Sequence, residues 1–111
     1  MKSLLKVVSG LIFVAMTFVT IRTSLTVSLW DAWASYAANP WAVATLYDAY
    51  FGFTIFWLWV AYRENSWLAR IGWLVLIYGL GNIATSAYVF LAVSRLKPGQ
   101  PIATLFERRT A

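Results

Sequence analysis

The stretch IGWLVLIYGLGNIATSAYVFLAVS, Ile71 to Ser94, decides the fold. It carries no charged side chain over 24 residues (94 − 71 + 1), which as a helix would run about 36 Å against a hydrocarbon core of about 30 Å. The sequence predicts a transmembrane helix here, spanning about 67–95. Ser66 stands as the N-cap before Trp67, and Pro98-Gly99 supplies the stop, because proline cannot donate an N–H and restricts Lys97 before it.

Working outward, the preceding apolar run opens on Asn39-Pro40. Asn39 is a good N-cap, and proline suits the first helical position, where its missing N–H costs nothing. The run predicts a span over 40–62, interrupted by one charge, Asp48, and ended by Arg63-Glu64-Asn65-Ser66, which reads with Arg70 as a solvated loop. So short a connection makes the two spans an antiparallel hairpin. A further span covers about 4–22, with Lys6 in its first turns, able to reach the interface. The rival for that segment is a secretory signal peptide, but Ala32-Trp33-Ala34 is a poor cleavage site too far downstream. Between them, Ser28-Leu29-Trp30-Asp31 fits a capping box. Leu29, Trp30, Trp33, Tyr36 and Ala37 then share one helical face, which predicts a short interfacial helix at about 28–38; the alternative is an irregular loop whose aromatics join the interfacial belt. The fold class expected is all-α: an integral membrane three-helix bundle with that interfacial helix between the first and second spans. Residues 1–98 form one transmembrane domain, and residues 99–111 a mobile polar tail.

Composition agrees. The chain is 61% hydrophobic, 18% aromatic and 12% charged, too poor in polar side chains to clothe a soluble domain of 111 residues. Without Cys or His it has no disulfide framework, and most thiol, zinc and haem sites are excluded; no metal or cofactor is expected. The net charge of +5 does not indicate nucleic acid, because the basic residues mark the borders of apolar runs, where they snorkel to headgroups. Three spans place Lys2, Lys6, Arg63 and Arg70 on one side and Arg22, Arg95, Lys97, Arg108 and Arg109 on the other. Four against five gives the positive-inside rule no asymmetry, and the tendency of the first helix to dominate tips the expectation to an inside N-terminus.

Asp48 lies about two turns into its span, where an ionised group costs about 2.5 to 3.5 kcal/mol on insertion scales. It should therefore face the bundle. Ala44, Asp48 and Gly52 share a face, and Asn82, Thr85 and Ser86 make a polar stripe on the next span. With Arg22 just past the end of the first span, the sequence predicts an intramembrane polar cluster of Asp48, Arg22, Asn82, Thr85 and Ser86. One reading is structural, a network that fixes helix register. The other is a proton, ion or ligand site. Trp30, Trp33, Trp41, Trp59, Trp67 and Trp73, with Tyr36 and Tyr62, lie near predicted span ends and read as belt anchors; an aromatic wall for a quinone or carotenoid is the alternative. No nucleophile–base pair, glycine-rich phosphate loop or carboxylate pair is found, so no catalysis is expected.

Three stretches carry a resemblance: Pro40-Trp41-Ala42-Val43-Ala44-Thr45-Leu46-Tyr47-Asp48-Ala49-Tyr50, then Trp59-Val60-Ala61-Tyr62-Arg63-Glu64-Asn65-Ser66-Trp67, then Gly81 to Tyr88. Together they resemble a family of small multi-pass membrane proteins of unknown function with members in plants and bacteria. The resemblance covers residues 40–88, and neither the first 38 residues nor the tail carries it. It implies a compact helical membrane protein, points to Trp41, Asp48, Glu64 and Trp67, and supplies no activity. The function expected is a non-enzymatic accessory or scaffold subunit, with the lipid bilayer and a larger membrane complex or homo-oligomer as partners. The alternative is a small-ligand, ion or proton module using Asp48 and the polar face of the third span.

Overall fold

A computed structural model describes residues 2–107. It is helical, with no strand among the described residues: α1 (Lys2–Thr26), α2 (Leu29–Ala37), α3 (Pro40–Arg63), α4 (Trp67–Leu80), α5 (Asn82–Ser94) and a 3₁₀ helix, Ile102–Phe106. Two of these, α1 and α3, are long and apolar enough to cross a membrane.

Local chemistry sets several boundaries as the sequence predicts. Asn39 Oδ1 accepts from the N–H groups of Trp41 (3.0 Å) and Ala42 (3.4 Å), and Pro40 opens α3. Asn39→Ala is expected to cost about 1 kcal/mol of stability in detergent unfolding, with Asn39→Gly costing only a few tenths. Ser28 Oγ accepts from the Asp31 N–H (3.1 Å), which starts α2. Ser66 stands at the N-cap of α4, but its side chain makes no capping bond. The first helix runs to Thr26, so Arg22 lies inside it rather than past its end.

The largest departure is in the stretch that opened the sequence reading. The helix expected over 67–95 is two helices joined at Gly81, where φ is +61° and ψ is −128°, a conformation that favours glycine. Gly81 ends α4 by donating its N–H to Ile77 O (2.8 Å) and begins α5 by accepting from Ala84 and Thr85. Two carbonyls that α4 would leave unpaired at its end are thereby satisfied: Ile77 by Gly81, and Tyr78 by the Tyr50 hydroxyl from α3 (2.8 Å).

The chain reverses at this point. Trp73 and Tyr88 are 15 residues apart (88 − 73), about 22 Å in a straight helix, yet their ring centroids stand 4.9 Å apart, edge to face. The α4–α5 hairpin therefore enters the molecule from the C-terminal end of α3 and returns to it. Each arm, of 14 and 13 residues, is about 20 Å long and too short to cross a hydrocarbon core alone.

The core sits inside this hairpin and along α3. Val60, Ile77, Ala84, Tyr88, Ala92, Val93 and Leu105 are buried. Helix α4 packs on α3, and α1 packs antiparallel on α5: Lys6 lies over Phe90, while Ile12 shares a recess with Asn82. A Cβ at Gly10 would stand 3.4 Å from the Phe90 ring, at the edge of ordinary van der Waals contact. Residues 99–107, expected to be part of a mobile tail, include the docked 3₁₀ helix: Leu105 is buried, and its carbonyl accepts from Trp59 Nε1 (3.0 Å). Residues 108–111 of that tail lie outside the described residues.

The reversal changes where the charges fall. Arg95 and Lys97 return to the end that holds Lys2, Lys6, Arg63 and Arg70, leaving Arg22 as the one basic residue toward the opposite end among the described residues. The four-against-five count takes 67–95 as one straight helix, and two of its five, Arg108 and Arg109, lie outside the described residues.

Candidate functional site

Two polar regions stand out, and they lie at different levels of the hairpin. The first is at its base. Arg63 and Glu64, read from the sequence as a solvated loop, are buried at 6% and 5% exposure. The α5 arm covers them. Arg63 Nη1 donates to the Tyr88 hydroxyl (3.3 Å), and that hydroxyl donates to Glu64 Oε1 (3.0 Å). The guanidinium also lies over the Trp59 and Tyr88 rings, 5.4 and 5.7 Å from their centroids. Arg63 Nε is buried without a hydrogen-bond partner, beside a cavity of about 20 Å³ lined by Arg63, Glu64, Tyr88 and Arg95 among others. That space is enough for about one water.

Arg70 closes the same end. Its Nε donates to the carbonyls of Ala61 (2.9 Å) and Glu64 (3.0 Å), at the C-terminus of α3, where helix carbonyls lack intrahelical partners and the dipole favours a cation. The Arg70 carbonyl in turn accepts from Trp57 Nε1 (2.8 Å). Around Tyr88 stand Phe56, Trp59 and Trp73, each edge to face. Trp59 and Trp73, expected as belt anchors, are partly buried and pack against the core. Trp30 and Trp41 are 83% exposed and remain on the outside.

The second region is the hairpin tip. Asp48, Gly52, Asn82 and Thr85 line one recess with Ala49, Phe53 and Phe56. Asp48 lies 15 residues, about 22 Å, before Arg63 along α3, which matches the depth of the tip. Gly81 offers the first turn of α5 no side-chain cap, so the positive end of that helix opens toward the recess. Thr85 Oγ1 donates to Asn82 Oδ1 (3.2 Å).

The predicted cluster is therefore assembled in part. Asp48, Asn82 and Thr85 share the recess. Ser86 is buried and donates within its own helix to the carbonyls of Asn82 and Ile83; it borders a neighbouring recess beside Leu5 and Ser9. Arg22 is exposed, lines neither recess, and does not join Asp48. Asp48 is itself exposed rather than facing the packed interior, and forms no hydrogen bond or ion pair among the described residues.

The region the sequence missed is the base. A signal existed, in that Arg63, Glu64 and Tyr88 all fall in the resembling stretches, but only the reversal at Gly81 shows that Tyr88 meets the other two. A family model described as a protein of unknown function (DUF1475) matches residues 5–110, including the N-terminal segment that the resemblance did not cover. No curated protein and no solved structure matches the chain.

Proposed function

We propose that this chain, which belongs to the DUF1475 family of proteins of unknown function, is a small non-enzymatic integral membrane protein that serves as an accessory or scaffold subunit of a larger membrane assembly. In this reading α1 and α3 cross the bilayer, and the α4–α5 hairpin dips in from one face and leaves by the same face. The observation that carries it is the uneven thickness of the molecule. At the base α5 packs on α1 and α4 on α3, but above the tip only α1 and α3 continue. Phe18, Ile21 and Leu25 of α1 and Trp41 and Tyr47 of α3 are exposed there. A second protein helix between or beside them would bury that surface and offer Asp48 a polar or cationic partner. Affinity purification from native membranes in mild detergent tests the role: a defined stoichiometric partner is expected, and a clean absence of any partner overturns it.

Orientation follows from the same topology. Six basic residues at the base against Arg22 at the other end, among the described residues, support a cytoplasmic base carrying Lys2 and the 3₁₀ helix, with α2 and Asp31 on the opposite side. The chain has no native cysteine, so single cysteines report sidedness directly. With a membrane-impermeant maleimide on intact cells, Ser35→Cys is expected to label, and Ser3→Cys and Ala103→Cys only after permeabilisation. Three full spans would instead put Ala103→Cys on the side of Ser35→Cys.

A second reading has one observation in its favour, the recess that gathers Asp48, Asn82 and Thr85 where a helix is broken at depth. Non-helical backbone inside a bilayer is tolerated where it lines a protein cavity, and broken helices often mark ion or substrate sites. If Asp48 binds or relays, Asp48→Asn removes the activity while leaving the unfolding midpoint in detergent unchanged. If its carboxylate is structural, the same variant lowers the midpoint or the yield of the assembled complex.

A further inference from the structure

The largest unfilled surface lies between α1 and α5. Val7, Leu11 and Val14 on one helix and Ala87, Phe90 and Leu91 on the other line a groove of about 620 Å³ whose exposed wall is almost wholly apolar. Small side chains, Gly10 on α1 and Ala87 on α5, stand in its lining. The one charged residue in its lining is Lys6, whose Nζ stands over Phe90, 5.4 Å from the ring centroid.

Helical periodicity extends this charge into a cationic mouth. Lys2 lies four residues before Lys6 and shares its face of α1. Arg95 lies four residues after Leu91 but lines the small cavity beside Arg63 and Glu64. From Lys6 the apolar wall then descends eight residues to Val14, about 12 Å, toward the hairpin tip. An occupant must be apolar along its length and anionic at one end.

We infer that this groove binds one anionic glycerophospholipid, with an acyl chain along Val7–Val14 and Ala87–Leu91 and the headgroup phosphate against Lys6 and Lys2. The inference rests on the membrane reading above and specifies the lipid that the base of the molecule selects. The phosphate pairs with two lysines at the headgroup level, and the chain covers apolar wall that the hairpin leaves open.

The test uses the full chain reconstituted into vesicles of pure phosphatidylcholine and of an equimolar mixture with phosphatidylglycerol, followed by native mass spectrometry of released protein. Phosphatidylglycerol adducts are expected to predominate in the mixture. Lys6→Gln should weaken that preference about fivefold, the factor a single lysine contributes beside an anionic surface. Ala87→Leu, which puts a larger side chain into the lining of the groove, should remove the retained lipid whatever its headgroup. Insertion into both vesicles without a headgroup preference overturns the lipid site and leaves the membrane reading standing. So does an unchanged preference in Lys6→Gln, retention of lipid by Ala87→Leu, or a lipid-free dimer. Failure to insert into either vesicle overturns both.

Discussion

Tyr88→Ala is expected to destabilise the protein by about 3–5 kcal/mol, the range for removing a large buried aromatic from a packed core. Tyr88 is 3% exposed and meets the edges or faces of Phe56, Trp59 and Trp73, so its loss leaves a cavity that no single neighbour can fill. Its hydroxyl also accepts from Arg63 and donates to Glu64. Tyr88→Phe keeps the ring and removes only those two bonds, and is expected to cost about 1–3 kcal/mol, the penalty for stripping partners from buried polar groups. Equilibrium unfolding in mild detergent, with denaturant titration of the three proteins side by side, separates the packing contribution from the polar one. If alanine and phenylalanine cost the same, the aromatic cage contributes nothing and the polar contacts carry the site. If neither changes the midpoint, Tyr88 does not sit at the meeting of α3, α4 and α5.

Gly81→Val is the second large effect. Valine at φ +61° costs about 1–3 kcal/mol in backbone strain. Its Cβ would also stand 3.1 Å from Phe53 Cζ, and relieving that overlap costs a similar amount. Together these predict a loss of about 2–6 kcal/mol in detergent unfolding. Gly81→Ala should cost less, and pairing it with Phe53→Ala should relieve the overlap but not the backbone strain, a non-additivity that a double-mutant cycle reads directly. A Gly81→Val protein as stable as the parent would mean that the chain does not reverse at this residue.

The helices themselves were legible because their signals are local. Asn39-Pro40 and Ser28 act through atoms within three residues, and the apolar runs are long. The break at Gly81 was not legible, because glycine is common in membrane helices and nothing polar interrupts the run before Asn82. What selects the reversal is non-local: Trp73 against Tyr88, Tyr50 on the Tyr78 carbonyl, and Phe53 over Gly81. The burial of Arg63 and Glu64 was hidden for the same reason. Charges at the end of an apolar run ordinarily reach water, and only the returning α5 arm encloses these two. Asp48, Asn82 and Thr85 meet because the reversal at Gly81 sets the start of α5 at that depth, with α5 running parallel to α3 rather than antiparallel as the spacing predicted. Arg22 failed to join them because α1 pairs with α5 rather than with α3.

A hairpin that turns back partway gives the molecule unequal cross-sections. In the proposed membrane arrangement, taking each helix as a cylinder about 10 Å across, the two hairpin arms add roughly 160 Å² to one leaflet and nothing to the other. The short α2 offsets part of this at the opposite surface, where it packs on α3. In a bilayer the protein is a wedge. It displaces more lipid from the leaflet around its base than from the other, and copies gathered in one patch would bend the sheet toward their narrow side.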